Sequence, residues 1–295
     1  MAEPSQLLVR HPAVAGSFYP AEPEQCRALA NSYTKVPQAQ QSQRWFGGIV
    51  PHAGWAYSGA IAGHTLGAIA TEFQPDLVVI FGAIHTPIPT DLSLLDSYAR
   101  WVTPGDSCNV NDDVRRQVLE NRALFAVDDR FHLREHAVEV ELPLIRSVWP
   151  NVTILPIEVP ANERAVQVGK TTARLVSAAG CNPVFLASSD LTHYGPAYGF
   201  APAGTGINGL KWAKDNDRLL IDRVLRMQDE SIVPEVRARL SACGGGAIAA
   251  MLAACKELGA NHSHLLRHAS SFDVAAQPGS QPPDNAVGYA SIVVG

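Results

Sequence analysis

The chain has 295 residues, enough to bury a large core in one domain. Hydrophobic residues make up 46% and charged residues 17%, which excludes a disordered chain. The net charge of −5 offers nothing to nucleic acid or an anionic membrane, and no apolar run approaches the roughly 20 residues that span a bilayer. The first residues, MAEPSQLLVRHPAVAG, lack a basic stretch followed by an apolar one, so no signal peptide is expected. The five cysteines are scattered and form no CxxC, which predicts free thiols and a reducing, cytoplasmic setting.

Residues 10–20, RHPAVAGSFYP, predict a shaped loop whose Phe18 and Tyr19 need a surface to cover. It is either an arm packed on the body or a wall of a pocket. Glu22–Tyr33 reads as a helix, and the polar residues 36–44 as a surface connection. The next stretch, FGGIVPHAGWAYSG, organises the chain. A short strand over Phe46–Val50 breaks at Pro51, His52 follows on a Gly-containing turn, and a helix runs from Ser58 to about Phe73. Asp76–Gly82, DLVVIFG, is a β-branched run that predicts a buried strand. It ends in GAIHTPIP, so His85 also sits just past a strand end.

A polar stretch containing Trp101 and TPGDS leads to an amphipathic helix over Asn111–Arg122. In Arg134–Val148, REHAVEVELPLIRSV, helical spacing would put Glu135, His136 and Glu139 on one face. That face is either a carboxylate–histidine support or an exposed ion pair. Pro143 starts or kinks the apolar half. Val152–Val159 is a strand and Glu163–Ala179 a helix. Asn182–Ser189 is a buried strand that runs into Asp190, Leu191, Thr192 and His193.

Residues 195–209 predict a long loop of the functional or mobile kind. It contains a GxGxxG match at Gly204, Gly206 and Gly209, but no strand precedes it, so no nucleotide cofactor is expected. Helices follow over Trp212–Met227 and Pro234–Leu240. Then SACGGG places Cys243 at the start of the helix Ala247–Leu258. His262 and His264 read as surface residues, and Gly288–Val294 as a closing strand. Five or six strands interleaved with helices predict a single α/β domain over 1–295.

In an α/β sheet the C-terminal strand ends lie along one edge, so His52, His85, Asp190 and His193 converge there, and Cys243 can join them. Imidazoles, a carboxylate and a thiolate are a ligand set for a transition metal. Cys243 at a helix start, beside glycine N–H groups, should be more acidic than a free thiol, which suits a ligand or a nucleophile. His193 could stay unligated and serve as acid/base.

In the order in which they occur, RHPAVAGSFYP, PHAGWAYSG, FGAIHT, EHAVEVELP, SSDLTHYG and the Cys243-Gly segment resemble the MEMO family. The chain resembles a prokaryotic-type member over nearly its whole length. The resemblance implies the fold of class III extradiol ring-cleaving dioxygenases, a central mixed sheet flanked by helices. It implies metal-site residues at His52, His85, Asp190 and Cys243, and an acid/base at His193 supported by Asp190. Tyr57 and Phe18 would line the pocket, Phe18 standing where some members have Trp, and Glu135 and His136 join them as candidate substrate-binding groups. In those dioxygenases two His and a Glu hold non-haem Fe(II), whereas here Cys243 replaces the carboxylate. Thiolate is soft and oxidisable and favours Cu(I) or Zn. Iron is thus implied by resemblance, and copper or zinc by the donor set.

Three functions follow from these residues. The first is a metal-dependent oxidoreductase acting on a phenolic or enediol substrate. The second is a non-catalytic module that binds metal or a peptide in the same pocket, since family members have been described as signalling adaptors. The third makes Cys243 a nucleophile, with His193 as base and Asp190 orienting it. The ligand expected in the pocket is a small molecule or peptide; the oligomeric state is left open.

Overall fold

A computed structural model describes residues 8–36, 44–277 and 279–295. Most of the connection expected over residues 36–44 lies outside the described residues. In chain order the elements are β1 (Val9–Arg10), α1 (Pro23–Tyr33), β2 (Gly47–Val50), α2 (Gly59–Ala70), β3 (Leu77–Gly82), β4 (Ser93–Leu95), β5 (Arg100–Thr103) and β6 (Asp106–Asn109). Next come α3 (Asp112–Leu119), β7 (Phe125–Val127), α4 (Asp129–His132), α5 (Leu142–Val148), β8 (Thr153–Glu158), α6 (Ala165–Ala178), β9 (Pro183–Ser188) and β10 (His193–Tyr194). The last are α7 (Gly206–Leu225), α8 (Asp229–Arg239), α9 (Gly245–Glu257), β11 (Ser263–Ser270), α10 (Ser271–Ala275) and β12 (Ala286–Val294).

The central sheet runs β10-β12-β2-β9-β3-β8-β4-β7, with β11 also on β12. Its middle, β2, β9, β3 and β8, is parallel, and β12 and β4 pair antiparallel to that block. The sheet is therefore mixed, as expected. A smaller sheet, β1-β5-β6, lies apart.

Why β3 is central follows from its residues. Every one of them is buried, and successive side chains point to opposite faces. Leu77, Val79 and Phe81 enter one core, with apolar residues of α3, α6, α7, α8 and α9. Val78 and Ile80 enter the other, with residues of α1, α2 and α5. A continuous apolar run is what a strand covered on both faces needs. On the first face α6 and α9 touch closely: a Cβ at Gly169 would collide with the Ala250 carbonyl oxygen.

Local chemistry sets several helix starts. The Glu22 carboxylate caps α1 by accepting from Gln25 N–H, with Pro23 in the first turn. Asn111 caps α3 by accepting from Val114 N–H. Pro143 opens α5 rather than kinking a longer helix.

Three sequence expectations are corrected. The strands among the described residues number twelve, not five or six. The helix expected from residue 134 begins only at Leu142, after a 3-10 turn over Glu139–Glu141. The reason is that Glu135 turns back to accept from its own neighbours, His136 N–H at 2.9 Å and Ala137 N–H at 3.0 Å. Finally, α7 begins at Gly206, so the last two glycines of the GxGxxG match are helical and the loop before them is shorter than expected.

Candidate metal centre

β9 lies between β2 and β3, all parallel. Their C-terminal ends therefore release His52, Asp190 and His85 side by side. Cys243 arrives on the short connection between α8 and α9. The result is one cluster: single ligand atoms of His52, His85 and Cys243 lie within 4.8 Å of one another. His52 Nε2 is 3.2 Å from Cys243 Sγ.

The far side of each ring is held. His52 Nδ1 is 2.8 Å from Ser188 Oγ, and that hydroxyl donates to the Ala137 carbonyl oxygen at 2.5 Å. Ser188 must then accept from Nδ1–H, so Nε2 is the nitrogen of His52 turned to the cluster. His85 Nδ1 is 2.8 Å from Glu135 Oε1, and its backbone N–H donates to Oε2 at 2.8 Å. A carboxylate only accepts, so His85 also carries its proton on Nδ1 and turns Nε2 toward the cluster. Both histidines thus aim Nε2 at one sulfur, each oriented by an outer partner as metal-ligating histidines are.

The electrostatics are those of a thiolate among protonated imidazoles: burial opposes charge on His52, but Cys243 and Asp190 raise it, and a metal ion would have to displace these ring protons. Burial works to neutralise Cys243, but the charge of His52 and the neighbouring imidazoles of His193 and His85 hold its thiol well below the ordinary range. Burial likewise opposes charge on His85, yet bonds to Cys243 and Glu135 lift it to about 10. Glu135, buried but bonded to His85 and to backbone N–H groups, is held down near 2. The first of the glycines after Cys243 does not turn its N–H to the sulfur. Gly244 N–H donates to Ser189 Oγ at 2.9 Å, an approach only glycine permits, since a Cβ there would strike Ser189.

Asp190 is placed differently from a ligand. Its Oδ1 accepts from His52 N–H at 2.8 Å, and Oδ2 lies 3.8 Å from His193 Nε2. The trio that comes within ligand distance does not include it. Buried His193 Nε2 has no hydrogen-bond partner among the described residues, and the ring packs on Tyr198 at 5.0 Å. Burial lowers His193, but Asp190 and Cys243 outweigh it and raise it to about 9.

Behind this turn, α7 holds two site segments together. Asn216 Nδ2 donates to Thr192 Oγ1 at 3.0 Å and to the Arg239 carbonyl at 3.1 Å, joining the Asp190–His193 turn to the segment leading to Cys243. Asp217 accepts from Thr192 N–H at 3.0 Å and pairs with His268 at 2.9 Å.

His136 completes the floor. Its ring stacks on His85 at 4.6 Å and meets His52 edge-on at 5.2 Å. Phe18 covers it from the N-terminal arm at 4.8 Å. With His85 and Glu135 it forms a second group of donors at ligand spacing. Tyr57 is 46% exposed and makes no ring contact with the site histidines among the described residues.

A model of the family described as Memo-like protein matches residues 10–293. The chain belongs to the Memo-like family. Its relatives include MEMO1 family proteins of Sulfolobus acidocaldarius, 32% identical over 305 residues that cover 98% of this chain and 100% of that one. Another, of Nitrosopumilus maritimus, is 31% identical over 294 residues, covering 97% and 99%. A third, of Pyrococcus horikoshii, is 30% identical over 293 residues with the same coverage. Among solved structures, an uncharacterized protein from Escherichia coli K12 aligns over 98% of this chain at a TM-score of 0.47 and 8% identity, too loose a likeness to argue from.

In this Memo-like chain the expected residues separate into two kinds. His52, His85 and Cys243 meet with donor atoms facing one another, while Asp190 and Glu135 stand one bond further out and orient them. Glu139, which helical spacing had set beside Glu135, faces the other way. It accepts from Arg10, from the Ala13 and Val14 N–H groups and from Tyr19 OH, and so anchors the arm. Ser188, Asn216 and Asp217 were not singled out from the sequence. Only the polar end of the run NPVFLASSD, a serine pair closing an apolar strand, hinted at the first.

Proposed function

We propose that this Memo-like chain holds one transition-metal ion between His52, His85 and Cys243 and uses it in an oxidoreductase reaction on a phenolic or enediol substrate. The observation that supports it is the pair of imidazole Nε2 atoms that Ser188 and Glu135 aim at an acidic sulfur; metal binding would release their protons. Two nitrogens and a soft thiolate suit copper, zinc or iron better than a hard cation. A bound ion would supply Lewis acidity, or an electron if it is redox-active, to an oxygen of the substrate. The chain's own part is to bind and orient. His193 offers an unpartnered Nε2 for exchange of the substrate hydroxyl proton, and Asp190 steadies that ring when it is charged. Phe18 and His136 form an aromatic wall that limits water.

The test is metal analysis of freshly purified protein, then of His52→Ala and Cys243→Ser, with oxygen uptake measured on catechols. One ion per chain, lost in both variants, together with oxygen uptake, is the expected result. Protein without stoichiometric metal would end the proposal; metal without uptake would leave a binding module. A second reading draws on the 3.2 Å His52–Cys243 contact, a distance suited to a cysteine nucleophile and its base. It predicts rapid alkylation of Cys243 at neutral pH that added metal does not slow.

A further inference from the structure

Two cavities border the His52–His85–Cys243 cluster, one lined in part by Cys243 and the other by His85, and their walls differ in kind. The first, about 280 Å³, has Cys243 and His193 at its base and Leu191, Tyr198, Phe200 and Leu240 around it. The second, about 340 Å³, has His85 and Glu135 at its base and Arg130, Leu133 and Arg134 at its mouth. The ligand atoms of Cys243 and His85 lie within 4.8 Å, so a molecule seated at the cluster borders both.

The apolar cavity carries a feature that stability does not explain. Leu240 closes α8 in a left-handed conformation, φ 51°, where glycine or asparagine is the comfortable residue. Its side chain is nevertheless 56% exposed. A strained leucine that buries little contributes nothing to folding that glycine would not, but it does supply apolar surface beside Cys243. Phe200 is fixed opposite, its ring against Trp212 at 5.4 Å.

The other cavity is cationic. The carboxylate at its base, Glu135, is already occupied by His85 and three backbone N–H groups. Arg130 is paired with Asp128. Among the described residues Arg134 has no ion pair or hydrogen bond, and it stands exposed at the mouth. A free guanidinium beside an apolar rim is suited to a carboxylate, which it can hold by two parallel bonds.

We infer that the ligand of this centre is an amphiphilic organic carboxylate: an aromatic or branched apolar body in the Leu240–Phe200 cavity, and an anionic end on Arg134. The inference rests on the cluster being the reacting centre and narrows its substrate class.

The probe is 3-phenylpropanoate, compared with neutral 3-phenylpropanamide, titrated at low salt by saturation-transfer NMR against purified protein whose metal content is measured in parallel. The acid should bind at least about tenfold more tightly than the amide. Arg134→Gln should abolish that preference, and Arg130→Gln should leave it. Leu240→Gly should weaken acid and amide alike, without lowering the unfolding midpoint. No binding of the acid, a preference that survives Arg134→Gln, or binding unaffected by Leu240→Gly would each overturn the inference. Binding that follows the pattern in metal-free protein upholds it while removing the metal proposal, and metal without the pattern does the reverse.

Discussion

The Ser188 hydroxyl gives its proton to the Ala137 carbonyl and accepts one from His52 Nδ1. The relationship fixes which nitrogen of His52 faces the sulfur, from a residue that does not touch the other ring or the sulfur. Ser188→Ala would leave Nδ1–H buried without an acceptor and free the ring to change tautomer. Metal affinity, read by competition with a chelator, should fall by roughly 10–100-fold. Unfolding in urea should cost about 1–3 kcal/mol less, the penalty for one buried unpaired donor. Unchanged affinity in a folded variant would show that the tautomer is set elsewhere.

Glu139 is fully buried and takes four donors, one of them the guanidinium of the equally buried Arg10. Arg10 keeps bonds to the carbonyls of His11, His132 and Glu135 and lies over Trp101, but among the described residues only Glu139 pairs with its charge. Glu139→Gln should therefore lower the unfolding free energy by about 3–5 kcal/mol, measured in urea. The arm over residues 10–20 should also become the first point of cleavage in limited proteolysis. Since Phe18 on that arm covers His136, ligand binding should weaken in parallel.

The parts of this molecule legible in the sequence are those where one local rule operates. A strand such as β3, covered on both faces, must be apolar throughout, and DLVVIFG reads so directly. Strand ends deliver their residues to one edge, so His52, His85 and Asp190 could be grouped without coordinates. The short strands β4 to β7 were not legible, because three or four half-polar residues carry no period and pair only through tertiary context. β11 was missed because much of one side faces solvent, and HSHLLRHAS looks like surface. Glu135 and Glu139 were misjudged for a related reason. Helical spacing placed them on one face, but each had a better partner far away in sequence: His85 for one and the N-terminal arm for the other.

Asn216 joins Thr192 to Arg239 across a buried gap, and its two bonds tie the Asp190–His193 turn to the segment that carries Cys243. Asn216→Ala should cost about 1–3 kcal/mol in stability, as expected for losing buried hydrogen bonds. Its sharper consequence lies at the site. With the tie cut, His193 should move relative to Asp190, and the imidazole signals of His193 should titrate lower than in the wild type, since Asp190 helps raise it. An Asn216→Asp control would keep the bond to Thr192 only if the hydroxyl reverses its donor role, so a partial effect is expected there. Wild-type His193 titration in Asn216→Ala would show that the turn holds itself.

Glu141 is a group from which a pH dependence should come. It is fully buried, and neither oxygen has a partner among the described residues. Burial, and next the negative charge of Asp190, push its carboxyl well above the ordinary value of 4.5. The folded protein therefore keeps a proton that the unfolded chain releases above that value. Where the native state holds more protons, stability falls as pH rises. Glu141→Gln removes the titration while keeping the shape. The variant should gain on the wild type steadily as pH is raised from about 5 to about 8, by at most about 1.4 kcal/mol per pH unit for a single proton. Urea unfolding of both proteins across that range measures the difference. Any fixed cost of the amide shifts the whole comparison without changing its slope, so a flat difference would mean that Glu141 is ionised in the folded chain.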